Sequence, residues 1–279
     1  GDHRDLHLSL RRQRQMCIRD SSTSSNWSTG TVPTTSDDVF FTADYNADVT
    51  AGLDQSGTTI NKFTVDGYTG KLGSKAAYLQ IDPSAAVSFR GTGQSYLDMG
   101  NANVDMSVDQ TASTSAGAAG LYILNSNLNT LSVTAGTIGF ALNAGESSTV
   151  GTIKLTGGTV LIGDSATVST ITMLGGSVTT DSSVTTLNIF GGSFESNKTA
   201  AITTLNGDGG TVIHNATGTI TTANIRGVFL DLNQSLNART ITTLAPSAGG
   251  SISYDPNFIT ISARSAITKP VTENWTDAF

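Results

Sequence analysis

The chain has 279 residues, of which 13% are charged and 6% aromatic, with 30 glycines and a formal net charge of −7. So acidic and small-residue a composition argues against a helical bundle and a basic nucleic-acid binder. The single cysteine, Cys17, excludes a disulfide-stapled scaffold.

Residues 1–21 stand apart from the rest of the chain. Five of the 15 basic residues (Arg4, Arg11, Arg12, Arg14, Arg19), Cys17 and two of the three histidines (His3, His7) fall there. A basic tail can bind nucleic acid or anionic lipid. The stretch 14–21, however, looks like translated sequencing-adapter read-through, so 1–21 is expected to be a non-native or disordered segment and is set aside from the fold argument. Residues 22–279 then keep ten Lys and Arg against nineteen Asp and Glu, a net of −9. An acidic body without basic clusters speaks against nucleic acid as a partner.

From residue 22 to 127 the pattern is that of a cap followed by irregular β-coils. Trp27, Val32, Val39, Phe40 and Phe41 are large apolar groups in an otherwise small-residue chain. An uncovered first coil would leave edge groups and an open core exposed, so 26–50 is expected to close the end. Its Trp-x-x-Gly-x-x-Pro string, Trp27 to Pro33, resembles the lead-in to β-solenoids of bacterial surface and phage structural proteins. Strand-like fragments come next at 59–65, 77–81, 86–89 and 120–124 with uneven spacing, and 110–120 reads as a flexible excursion.

Between 128 and 250 one unit returns, clearest at 168–178, 184–194 and 202–212. Its first apolar column is Leu128, Val150, Val168, Val184, Ile202, Ile220 and Ala238. Three residues on comes Leu131, Ile153, Ile171, Leu187, Leu205, Ala223 and Ile241, and two further on Val133, Leu155, Met173, Ile189, Gly207, Ile225 and Thr243. Five beyond these comes Ile138, Val160, Val178, Phe194, Val212 and Leu230. A gap of two with a polar residue between is strand alternation. The pairs Gly157-Gly158, Gly175-Gly176, Gly191-Gly192 and Gly209-Gly210, with Ala135-Gly136 and Arg226-Gly227 as weaker versions, mark a corner that needs positive φ or close backbone approach.

These spacings predict an all-β, single-stranded, right-handed parallel β-helix (β-solenoid) of about 18 residues per coil. The hand follows the general preference of parallel crossovers. The left-handed hexapeptide helix would repeat an aliphatic residue every six, which gaps of 3, 2, 5 and 8 do not. After 250, the strands near 251–254 and 258–261 are expected to close the helix before a polar tail to 279.

The chemistry-bearing residues are few. His214 is the only histidine of the body, and a turn histidine without special role is the simpler expectation, since a zinc site needs several convergent ligands. Asp164, Asp181, Glu195 and Asp208 lie on neighbouring coils. A glycosidase needs two opposed carboxyls flanking a sugar, with walls and aromatics that 141–228 lacks, so solvated turn carboxylates are expected. Asn206-Gly-Asp208-Gly-Gly looks superficially like a calcium turn but lacks the nonapeptide repeat. No catalytic, metal or cofactor-binding residue is therefore assigned. Outward, Thr186, Thr204, Thr222 and Thr240, and Asn188, Asn206 and Asn224, recur in register. They either form a flat binding face for a glycan or surface, or simply stabilise exposed strands by stacking.

The Thr-Leu-Asn-x-x-Gly-Gly-Thr/Ser-Val series is similar to the solenoids of phage virion proteins and autotransporter-like adhesins. The resemblance implies a non-enzymatic structural or adhesive protein of a virion or cell surface, presenting an attachment face. Its implied partners are a glycan or host-surface receptor and other virion or surface subunits, including copies of itself in a trimer, with no membrane span. The alternatives are a polysaccharide-degrading, tailspike-like depolymerase and a fragment of an autotransporter passenger domain.

Overall fold

A computed structural model describes residues 13–15, 20–44, 46–100, 103–115, 117–143, 145–247, 249–265 and 272–275. Gln13–Gln15 pairs in parallel with Asp38–Phe40, while most of 1–21, and the expectation made for it, lies outside the described residues.

Among the described residues, 23 strands join one sheet in which each strand pairs in parallel with its counterpart one winding away. A sheet closed in this way by a single chain is a β-solenoid, here averaging about 20 residues per turn. Val39, Phe63, Val87, Met106, Leu131, Ile153, Ile171, Leu187, Leu205, Ala223 and Leu244 stand in register one above the other. Their spacing passes from 24 residues at the start to 18, 16, 18 and 18 between Ile153 and Ala223, where the 18-residue unit was expected. The early windings also carry register shifts, at Ile60/Lys62 and Phe89/Arg90 for example. Those bulges hide the period from the sequence.

Alternation decides which side chains face inward. In Val184–Ile189, Val184, Leu187 and Ile189 are buried, whereas Thr185 is exposed and Thr186 and Asn188 are half-buried. Ile171, Leu187 and Leu205 have no exposed surface, so the interior is one continuous aliphatic stack. At its N-terminal end the stack turns aromatic. Trp27 packs on Phe41 with ring centroids 6.3 Å apart, Phe41 packs on Phe63 at 5.5 Å, and the Trp27 indole Nε1 donates to Ser21 O at 2.9 Å.

The corners obey two separate constraints. Gly176 sits at φ +77°, and a Cβ there would come within 2.6 Å of Gly158 O in the winding beneath. Gly175 is outside the left-handed region, yet its Cβ would meet Thr156 O at 2.7 Å. One glycine thus supplies the turn and the other lets adjacent windings approach.

The corner at Arg226-Gly227 is weak for a different reason. Gly207 leaves a gap in the third column where neighbouring windings carry Ile189 and Ile225. Fully buried Val228 fills it: a Cβ on Gly207 would lie 2.1 Å from Val228 Cγ1.

Two sequence-based expectations need correction. The last regular winding is three residues longer than assigned: Ile220, Ala223 and Ile225 pair with Ile241, Leu244 and Pro246, not with Ala238, Ile241 and Thr243. The extra residues enter the turn before Arg239, whose buried guanidinium donates through Nη2 to Leu232 O and, at 2.7 Å, to Ser235 O. An odd insertion is harmless there because only a slip within a strand inverts its faces. The 110–120 segment, in turn, is pinned at both ends, with Ser113, Ser115 and Gly117 exposed between them. Thr111, Ala112 and Ala119 are buried, and Thr111 Oγ1 accepts from Thr137 N at 2.8 Å.

Candidate functional site

Each of the four carboxylates is engaged by a side chain from another winding. Asp164 and Asp181 come together on one cation, Lys198, whose Nζ lies 3.2 Å from Asp164 Oδ2 and 2.6 Å from Asp181 Oδ2. Hydrogen bonding to that ammonium holds the Asp164 carboxyl below its usual range, and hydrogen bonding to Asp181 first, then to Asp164, raises Lys198. Asp208 takes a two-pronged contact from the Arg226 guanidinium, with Nη2 2.8 Å from Oδ2. Glu195 Oε1 accepts from Asn215 Nδ2 at 3.1 Å. These groups cross-link successive turns at the surface, where ion pairs contribute little to stability.

The calcium-like turn is similarly occupied. Asn206 donates to Asn188 Oδ1 at 2.9 Å and accepts from Asn224 Nδ2 at 2.8 Å, while Asp208 is held by Arg226. Among the described residues no group of three or more His, Cys, Asp or Glu converges to hold a metal ion.

His214 is not a turn residue. It ends the inward-facing strand Thr211–His214 and is 1% exposed. Its Nε2 lies 2.8 Å from Gly218 O and its Nδ1 2.6 Å from Ser196 Oγ. A carbonyl can only accept, so Nε2 carries the proton and Nδ1 accepts from the Ser196 hydroxyl. Burial, opposed by the Gly218 bond and helped by nearby Arg239, pushes the imidazole down to about 4. A serine against a histidine base is nucleophile geometry, but Ser196 has no exposed surface. No substrate reaches this pair in the closed core.

Ser196 and His214 belong to a fifth inward file, Phe140, Ile162, Thr180, Ser196 and His214. It was missed because three of these five residues are polar, yet its constant offset of two residues from the fourth column is the signal that alternation would have provided.

Outside, the threonine ladder is longer than expected, Thr130, Thr152, Thr170, Thr186, Thr204, Thr222 and Thr243. Thr243 takes the place assigned to Thr240. The Asn188–Asn206–Asn224 file is bonded amide to amide, as stacking predicts.

A second cluster had no sequence signal. Tyr96 and Tyr122 stack with centroids 4.7 Å apart, and Tyr78 meets Tyr96 edge-on at 5.3 Å. The turn after Phe140 reaches back over these rings. Glu146 Oε1 accepts from the Tyr78 hydroxyl, and Asn143 Nδ2 donates to Glu146 Oε1 at 2.7 Å. Burial first, then Glu146, pushes the Tyr78 phenol far above its ordinary value. The arrangement is a strap that ties the irregular windings to the regular ones.

Among the described residues no helix is long and apolar enough to cross a membrane. Compared with known proteins, the chain matches no family model, and no curated protein or solved structure is significantly similar to it.

Proposed function

We propose that the protein is a non-enzymatic structural and adhesive rod of a phage virion or bacterial cell surface, offering its flank for attachment. The observation that carries this reading is the unbroken stack of aliphatic side chains through Leu187 and Leu205. It spends the interior on rigidity and leaves only the flanks to meet a partner. The surface carboxylates support it too, each being tied to another winding. Stability spread over many similar interfaces suits a projecting rod.

Fluorescently labelled protein incubated with bacterial cells, alongside a reducing-end assay on soluble polysaccharides, tests the reading. Adhesion without release of reducing ends is expected. Progressive release of reducing ends would replace the rod with a depolymerase.

A further inference from the structure

The flank holds a site that the columns do not reveal. Two polar concavities, of about 420 Å³ and about 390 Å³, share Thr167 and succeed one another along the axis from Gly100 to Thr203. They lie where each turn re-enters the first strand. Their floor is built of buried serines whose hydroxyls serve the backbone: Ser126 Oγ donates to Leu124 O at 2.7 Å and Ser182 Oγ to Gly163 O at 2.6 Å.

The rim differs. Asn127, Thr149 and Thr167 stand in register on successive windings, with Ser147 beside them. Thr149, Thr167 and Ser147 are exposed and Asn127 is half-buried. Among the described residues none of these four side chains makes a hydrogen bond within the protein, whereas the neighbouring Asn188–Asn206–Asn224 file spends its amides on itself. The single ionisable group in the lining, Asp164, is paired with Lys198. The result is a line of uncharged donors and acceptors recurring once per winding, about 4.8 Å apart.

We propose that this groove binds a neutral, linear, hydroxyl-rich polymer, a polysaccharide strand laid along the solenoid axis. A hydroxyl both donates and accepts, so a polyol satisfies a rim of Ser, Thr and Asn with either polarity. An apolar ligand would strand those groups without partners. A polyanion would find no free cation in the lining and a net negative protein around it. A polymer repeating along the axis meets an equivalent group at each winding, so affinity grows with its length. The proposal rests on the attachment reading and places the contact in the groove instead of on the Thr130–Thr243 face.

The test is affinity electrophoresis of the full chain in gels containing soluble neutral polysaccharides (a mixed-linkage β-glucan, a galactomannan, a dextran) or the acidic polymer alginate. Three proteins are compared: wild type, Thr149→Val/Thr167→Val in the groove, and Thr186→Val/Thr204→Val on the flat face, each checked for native circular dichroism. At least one neutral polymer should retard the wild type, with at least a tenfold weaker Kd for the groove variant, an unchanged value for the face variant and no retardation by alginate. Retardation lost only in the face variant overturns the groove while leaving the attachment reading standing. Absence of retardation by every neutral polymer, or preference for alginate, overturns the groove and leaves cell adhesion to decide the broader reading.

Discussion

Acid should weaken this protein through one buried imidazole. His214 has its pKa lowered from 6.5 to about 4 in the folded chain, chiefly by burial. Between those values the unfolded chain binds the proton and the folded chain does not, so stability rises with pH across the window. The contribution is complete above pH 6.5, is lost as pH falls towards 4, and declines no further below. A shift of this size corresponds to about 3 kcal/mol. The carboxylates add their own acid sensitivity, so the measurement needs a reference. His214→Leu serves, because Ile162 already occupies the same file; pairing it with Ser196→Ala removes the abandoned hydroxyl. Urea unfolding followed by circular dichroism at pH 7.5 and pH 4 should show the wild type losing about 3 kcal/mol more than the double variant. Equal losses in the two proteins would mean that His214 is charged or solvated in the folded state, and the sealed fifth file would be wrong.

Other outcomes rest on the same packing. Leu205→Ala removes a fully buried rung and should cost about 2–5 kcal/mol by urea denaturation. Gly176→Ala places a methyl 2.6 Å from Gly158 O at φ +77° and should cost about 2–4 kcal/mol, read as a lowered thermal midpoint. Gly207→Val and Val228→Gly should each destabilise, the first by collision and the second by a void. The pair together should recover part of the loss, with a coupling of about 1–3 kcal/mol in a double-mutant cycle; strict additivity would deny that the two share one space.

The legible part of the fold was the part made of aliphatic repetition. Leu187, Leu205 and their counterparts declare themselves because solvent exclusion admits few residue types. Thr180, Ser196 and His214 occupy equally buried places, but their mutual and backbone hydrogen bonds let polar residues stand there, and polarity then reads as exposure. The last winding was misassigned because gaps of three and two are satisfied by Ala238, Ile241 and Thr243 as well as by Ile241, Leu244 and Pro246. Only the buried Arg239 turn decides between them. The Tyr78–Glu146 strap joins groups 68 residues apart, and the groove arises from turns stacked in space. The strap leaves no periodic trace, and the groove's rim, which recurs one residue before Leu128, Val150 and Val168, is hidden among the chain's many exposed Thr and Asn.

The exchange of volume between Gly207 and Val228 bears on how such a chain can change length by recombination. Deleting or duplicating one whole winding upstream, between Val150 and Val184, joins like to like and leaves a workable, shorter or longer rod. A crossover that separates Gly207 from Val228 produces either a hole or two groups in one place. Heredity can trim or extend the middle of this molecule freely, but must carry those two residues as a single linked unit.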